Sequence, residues 1–190
     1  MLMLRAKPHK SWLPKMMANL DAVLVDHAHL ERKAATSALT LGRYRELYAR
    51  IGELNAIAIE ELEHFQLVLD LLDEREVPFG HPISSPWISG LMGTVRKGRH
   101  EQVIDHLLCA ALIEGRSCEK FKLLAGALGQ VDARLSGFFG SLVESEGNHY
   151  ASYLLMAKDL DESETERRLD YYLDLDAELV QQPSGLPILH

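Results

Sequence analysis

Only two cysteines occur, Cys109 and Cys118, nine residues apart in one stretch of helical pattern. At 1.5 Å per residue they stand roughly 13 Å apart along the axis, beyond disulfide reach. There is no CxxC pair, so a rubredoxin-type iron centre has no ligands. A reduced, cytoplasmic compartment fits this sparing use of cysteine. Alternation of β-branched residues is nearly absent, which leaves no basis for a real sheet. No apolar run reaches the roughly 18 residues that a membrane span needs. The opening "MLMLRAKPHKSWLPKMM" has no uninterrupted apolar core and no small-residue cleavage site, so no signal peptide is expected. Positive charge is in deficit: 20 Lys and Arg stand against 28 Asp and Glu, a formal net charge of −8. That balance argues against broad nucleic-acid affinity, which depends on clustered cations. No nucleotide-binding glycine motif marks a flavin or nicotinamide site.

What the chain does have is helical periodicity. Apolar residues recur with the 3.6-residue period over about 15–42, 47–76, 100–127 and 131–159. A fifth amphipathic segment, about 162–181, follows Asp161 as N-cap with Glu164 three residues on. "VPFGHPISSP" (77–86) is the strongest break, and a short helix over about 86–96 follows it. The 77–99 stretch has the length of a crossover joining two antiparallel helix pairs. The tail "QQPSGLPILH" reads as extended or poorly ordered.

Inside these helices sit polar residues where an apolar stripe should run. Glu61 and His64 are three apart, on one face with Leu54, Ile57, Phe65 and Val68. Glu146 and His149 repeat the pattern beside Phe139, Leu142 and Tyr153. These are the two Glu-x-x-His matches in the chain, and about one would arise by chance, so the spacing alone says little. One helix upstream of each match stands another misplaced acid: Glu31 among alanines, and Glu114 beside Ala110, Ala111 and Phe121. Residues at one level of an antiparallel hairpin are equidistant from its turn. Position 46, midway between Glu31 and Glu61, falls at "GRYRE"; position 130, midway between Glu114 and Glu146, falls beside Gly129. All six side chains therefore converge on one level of the bundle. One buried Glu or His needs only a hydrogen-bond partner. Four carboxylates in one core would repel one another and each lose several kcal/mol of hydration. Two divalent cations cancel that excess and bring the net charge to about −4, the formal −8 plus four. An oxygen-rich site with two imidazoles suits iron or manganese. Four Glu and two His from four helices is the dinuclear carboxylate arrangement of ferritin-like bundles.

The words around these residues are more specific. "DHAHLERKAATSAL" (26–39), "EELEHF" (60–65), "ALIEGRSCEKF" (111–121) and "SEGNHY" (145–150) resemble the tRNA 2-methylthio-N6-isopentenyladenosine hydroxylase family, over most of the chain. Gly147-Asn148 stands where the family usually has a basic residue before the last His, and Leu30 where Cys is common. The resemblance implies an all-α, ferritin-like four-helix bundle forming a single domain over 1–190, with the crossover at about 77–99 and an extra C-terminal helix at about 162–181. It implies two iron ions, with manganese the other candidate, held by Glu31, Glu61, His64, Glu114, Glu146 and His149 as both metal ligands and catalytic centre. It further implies O2-dependent hydroxylation of the isopentenyl group of a hypermodified adenosine in tRNA.

Each turnover of such a monooxygenase needs an external electron donor, so a separate electron-transfer reductase is implied. Phe65, Phe121, Phe139, Tyr150 and the helix alanines are the candidate walls of a prenyl cavity. RNA contacts are sought at Arg5, Lys7 and Lys10 in the N-terminal arm, at Arg96, Lys97 and Arg99 in the crossover, and at Arg43, Arg45 and Arg50 near the first turn. His27 and Cys118 lie one turn from Glu31 and Glu114 and are candidate neighbours of the metals. The alternative is an iron-handling ferritin-like protein, a ferroxidase or peroxide scavenger. The 77–99 segment, with Trp87 and its basic residues, suits a substrate mouth better than packing into a cage. The expected partners are therefore tRNA and a reductase, with no membrane, and the expected state is a monomer or small oligomer in the cytoplasm.

Overall fold

A computed structural model describes residues 2–183 and 185–190. Its helices are α1 (Trp12–Met17), α2 (Leu20–Leu41), α3 (Ile51–Glu74), α4 (Pro86–Met92), α5 (Arg99–Leu128), α6 (Ala133–Leu160) and α7 (Glu162–Val180). A 3-10 segment, Arg45–Arg50, leads into α3, and no strand occurs among the described residues. Two antiparallel hairpins, α2–α3 and α5–α6, form the four-helix bundle; α4 lies in the crossover and α7 covers α5 and α6. This is the ferritin-like architecture. No helix among the described residues is long and apolar enough to cross a membrane.

Helix ends follow local chemistry. The side chain of Asn19 donates to the Lys15 carbonyl at 2.8 Å, which competes with the backbone ladder and splits α1 from α2 where unbroken periodicity predicts one helix. Ser85 accepts from the Ile88 N–H at 3.1 Å ahead of Pro86, starting α4. Asp132 and Asp161 cap α6 and α7 in the same way. The expected capping box at Asp161 forms only in one direction, because Glu164 turns outward to Arg96 and Arg167. At the end of α3, Val77 N–H reaches the Leu72 carbonyl and Glu76 N–H the Asp73 carbonyl, a Schellman motif. Its left-handed position is filled by Glu76, φ 55°, where glycine is favoured.

Two apolar layers flank the centre of the bundle. One gathers Leu41, Leu54, Leu107, Tyr153 and Met156; the other gathers Leu24, Val68, Phe121, Phe139 and Leu142. α5 is enclosed on nearly every side, and Arg116, fully buried on it, pairs with the buried Asp176 of α7 and donates to the Ala6 carbonyl at 2.7 Å. Asp105 likewise receives Arg96 and Arg168, fastening the end of the crossover to α5 and α7.

The tail departs from the sequence reading. Its described residues form no helix, but Ile188, Leu189 and His190 are buried rather than loose. Leu189 N–H donates to Asp26 at 2.7 Å, Lys120 donates to the Leu189 carbonyl, and the His190 ring stacks on Trp87 at 5.2 Å. Two apolar residues and a histidine at the end of the tail could not reveal this, because the partners lie on α2, α4 and α5.

Replacing Glu76 by glycine relieves a left-handed non-glycine residue, worth about 1–2 kcal/mol, against about 0.5–1 kcal/mol of added chain entropy in the unfolded state. Urea unfolding of Glu76→Gly should therefore show a gain of up to about 1.5 kcal/mol. A loss of stability would mean that the Glu76 side chain contributes contacts that outweigh its backbone strain.

Candidate metal centre

Each of the four bundle helices contributes an acid at the same depth. α2 carries Glu31, α3 carries Glu61 and His64, α5 carries Glu114, and α6 carries Glu146 and His149; all six are buried. The structure brings them into two overlapping groups, Glu31, Glu61, His64 and Glu146, and then Glu61, Glu114, Glu146 and His149. Within each group one oxygen or nitrogen per residue lies within 4.8 Å of the others. Glu61 and Glu146 belong to both.

The distances are those of a cage rather than of a hydrogen-bond network. His64 Nδ1 stands 3.8 Å from Glu31 Oε2, 3.7 Å from Glu61 Oε2 and 3.7 Å from Glu146 Oε1. Such separations are too long for hydrogen bonds. They are shorter than twice a metal–ligand bond of about 2.0–2.6 Å, as two ligands of one ion must be. His149 Nδ1 approaches Glu61 Oε1 to 2.7 Å without hydrogen-bond geometry. Both Glu61 oxygens, Glu146 Oε1 and the Nδ1 atoms of His64 and His149 are buried without a hydrogen-bond partner. Orphaned acceptors and lone pairs facing one space fit a pair of cations, and the donors are oxygen and nitrogen only. Cys118 turns to the Val143 carbonyl at 3.4 Å instead.

Protonation shows the same anionic excess. Burial, and then Glu114, Glu31 and Glu61, push the Glu146 carboxyl well above the usual range. Burial and then Glu61 push Glu114 up to about 8. Burial works against a charged His64, yet Glu31 and Glu61 outweigh it and raise the ring to about 10; Glu61 does the same for His149, to about 9. Protons fill the role that cations would take, and metal uptake must release them.

Outside the cage, each imidazole is steered from behind. His149 Nε2 meets Glu60 Oε2 at 2.9 Å, and Ser145 Oγ lies 3.4 Å from His64 Nε2. His27, wholly buried among Phe121, Phe138 and Phe139, bonds through Nε2 to Glu31 Oε1. Sequence reasoning weighed His27 without settling it, although its i,i+4 spacing to Glu31 was the available signal. Glu60 was missed: in "EELEHF" it reads as an ordinary solvated acid, and only the approach of α6 gives it a partner.

The cage opens on a cavity of about 190 Å³, whose apolar wall includes Leu30, Ala34, Ile88, Met92, Ile113 and Phe121. Of the four aromatic residues expected there, Phe121 alone is a wall. Phe65 packs edge-on against Phe79, Phe139 stands behind Phe121, and Tyr150 lies against Gly115, whose added Cβ would come within 3.0 Å of the ring. Leu30, Ile88 and Met92 take their places, because α4 folds back over the bundle. Among the cationic candidates, Arg5 pairs with Asp170 and Asp174, Arg96 with Asp105 and Glu164, Arg99 with Glu46, and Arg50 with Glu53 and Asp159. Lys7, Lys10, Lys97, Arg43 and Arg45 are exposed.

Known proteins share this chain's pattern. The model of a family described as tRNA-(MS[2]IO[6]A)-hydroxylase (MiaE) matches residues 1–190. A Pseudomonas putida protein named tRNA 2-(methylsulfanyl)-N(6)-isopentenyladenosine(37) hydroxylase is 34% identical over 186 residues, 93% of this chain and 89% of that one. A Salmonella typhimurium protein of the same name is 36% identical over 135 residues, 67% of this chain and 49% of that one, so the match spans about half of that relative. A solved Synechococcus protein, described as having aldehyde deformylating oxygenase activity, superposes with a TM-score of 0.91 at 31% identity, covering 98% of this chain and 94% of the other.

If Glu61 and Glu146 are shared between two ions, then Glu61→Ala or Glu146→Ala should leave fewer than about one iron per chain, whereas Glu31→Ala should retain the partner ion. Elemental analysis after anaerobic loading distinguishes these; equal loss from all three variants would dismiss the shared assignment. Glu60→Gln, which weakens the carboxylate behind His149, should lower affinity for one ion by about 10–100-fold. Titration with ferrous iron reads that change, and wild-type affinity for both ions would show Glu60 to be a bystander.

Proposed function

The chain belongs to the tRNA-(MS[2]IO[6]A)-hydroxylase family, a family of ferritin-like tRNA-modifying enzymes, and on that premise we propose how its own residues serve O2-dependent hydroxylation of a prenylated adenosine. Glu31 and His64 would hold one iron and Glu114 and His149 the other, with Glu61 and Glu146, which belong to both groups, available to either. When bound, the ion pair supplies oxidising chemistry strong enough for an unactivated C–H bond, with dioxygen as oxidant and an external donor returning electrons.

The single observation that supports this reading is the juxtaposition of the six-residue cage with an apolar cavity of about 190 Å³. That volume is below the 300–1,000 Å³ typical of sites enclosing a whole small molecule. It suits a branched five-carbon chain entering from one side while the nucleoside stays at the mouth. Leu30, Ile88, Met92 and Ile113 desolvate the chain and exclude water, and Phe121 backs it beside Glu114. His27 holds Glu31, Glu60 holds His149, and Ser145 stands behind His64, so the acids need little rearrangement when charge changes between them. The overall balance is one C–H bond converted to C–OH, with the second oxygen atom leaving as water after two electrons and two protons arrive. The electrons come from a separate reductase, a tRNA substrate implies action in the cytoplasm, and we read the protein as a monomer or small oligomer.

The likeness to the Synechococcus oxygenase favours one second reading, removal of the formyl group from an aldehyde at the same centre. Nucleoside mass spectrometry of tRNA separates the two. Cells lacking this protein should lose the hydroxylated prenyl-adenosine and accumulate its unhydroxylated precursor, and the purified iron-loaded protein with a reductase should restore it. Persistence of the hydroxylated nucleoside in a strain with no second copy, together with turnover of an aldehyde in vitro, would replace the tRNA reading with the other.

A further inference from the structure

This acidic chain ties up most of its arginines internally. Arg5, Arg50, Arg96, Arg99, Arg116 and Arg168 all lie within hydrogen-bonding or ion-pair distance of carboxylates. Three exposed cations along α2 and just past its end do not follow this pattern. Arg32 and Lys33 on α2, and Arg43 just past its end, have no carboxylate within 4.0 Å among the described residues. Arg32 instead contacts His29 Nδ1 at 3.2 Å and lies over Phe79, and Arg43 lies over Tyr44.

These three line an open groove of about 700 Å³, and no acid lines it with them. The groove adjoins the cavity above the cage: Lys33, Ser37, Met92, Ala110 and Ile113 border both. The other large groove, about 540 Å³ along α6 and bordered by Leu2, Lys122 and Gly147, shares no residue with that cavity and contains Glu144. We propose that the α2 groove binds the sugar–phosphate backbone of the RNA loop whose prenylated base enters the cavity, with Arg32, Lys33 and Arg43 taking phosphates. This deepens the function proposed above and rests on it.

Three features favour RNA over a small anion. Arg32 and Arg43 are eleven residues apart, about 16 Å along a helix axis, which spans several consecutive nucleotides rather than one phosphate. Ser37 and Thr40 place hydroxyl donors between the cations on the same face, the side-chain types that accompany Arg and Lys on phosphate oxygens. Above all, a prenyl group attached to a base can reach the cage only if its own nucleotide sits at the cavity mouth, which is where Lys33 stands. In a protein of net charge −8, three cations without counter-ions lining one groove that holds no acid offer local affinity within a repulsive field. The N-terminal and crossover arginines are spent on Asp170, Asp105 and Glu46 and contribute little to this surface.

The test is binding of a fluorescently labelled anticodon stem-loop RNA to the iron-loaded, full-length protein, measured over a salt series. Arg32→Glu, Lys33→Glu and Arg43→Glu should each weaken binding by about tenfold, and the slope of log affinity against log salt should fall by about 0.7 for each lost contact to single-stranded RNA. Arg43→Lys and Lys33→Arg should bind within about twofold of wild type. Iron content and melting temperature verify that the variants fold. Lys10→Glu and Lys97→Glu, at exposed cations that do not line the groove, should change binding far less. Unchanged affinity and salt slope in the triple charge reversal would overturn the proposal. So would a defect confined to electron delivery from an acidic redox protein, which would make the groove a protein-docking face. If the triple variant loses RNA binding but wild-type protein leaves prenyl-adenosine unoxidised, the groove stands and the hydroxylase mechanism falls. If tRNA is hydroxylated by a protein that binds it independently of these residues, the reverse holds.

Discussion

The structure depends on one electrostatic constraint: four carboxylates share a small, dry volume between two apolar layers. Hydration is gone, and mutual repulsion is strong at low dielectric. Without compensation the cluster favours protonation: burial and the neighbouring acids raise Glu114 and Glu146, and against the effect of burial Glu31 and Glu61 raise His64 while Glu61 raises His149. A pair of divalent ions satisfies the same charge with fixed geometry. The bundle can carry such a centre because each helix is long enough to bury apolar residues both above and below it. The helices lose no core by dedicating one level to polar side chains.

Everything beyond that level orients it. His27 and Glu60 hold a cage residue each: His27 lies one turn before Glu31 on α2, whereas Glu60 lies on the face of α3 next to that of Glu61 and reaches His149 on α6. The crossover does more than join the hairpins. Its α4 brings Ile88 and Met92 over the cage, and Asp105, Arg96 and Arg168 lock its far end. The tail closes the adjoining side: His190 stacks on Trp87, lies 3.1 Å from Ser117 Oγ and borders the cavity. Lys120 sits between Trp12 and Trp87 at 5.5 and 5.6 Å, with its amine lowered to about 7 by burial and by Arg116. A reaction chamber that must be dry is thus sealed by elements far apart in the chain.

Placing an oxidising centre inside such a chamber separates two tasks. Chemistry needs a low-dielectric pocket with little water, whereas recognition of a polyanion needs exposed cations. In this chain the tasks meet at Lys33, two residues after Glu31, so one helix carries a cage acid on its buried side and a free ammonium on its outer side. The helical period makes this economical, because successive residues face different environments.

The helices, the hairpin turns and the six cage candidates were legible from sequence, since they rest on local rules. Helical period puts Glu61 beside His64, and equal distance from a turn puts Glu31 level with Glu61. Desolvation makes four acids on apolar stripes meaningful together. The break at Asn19, the partner of Glu60, the cavity walls at Ile88 and Met92 and the docked tail were not legible. Each depends on which segment approaches from elsewhere, and no periodicity encodes that approach. The same holds for charge: sequence lists Arg96 and Lys33 alike as cations, but only tertiary structure hands Asp105 to one and leaves the other facing solvent, because counter-ions are supplied by neighbours in space.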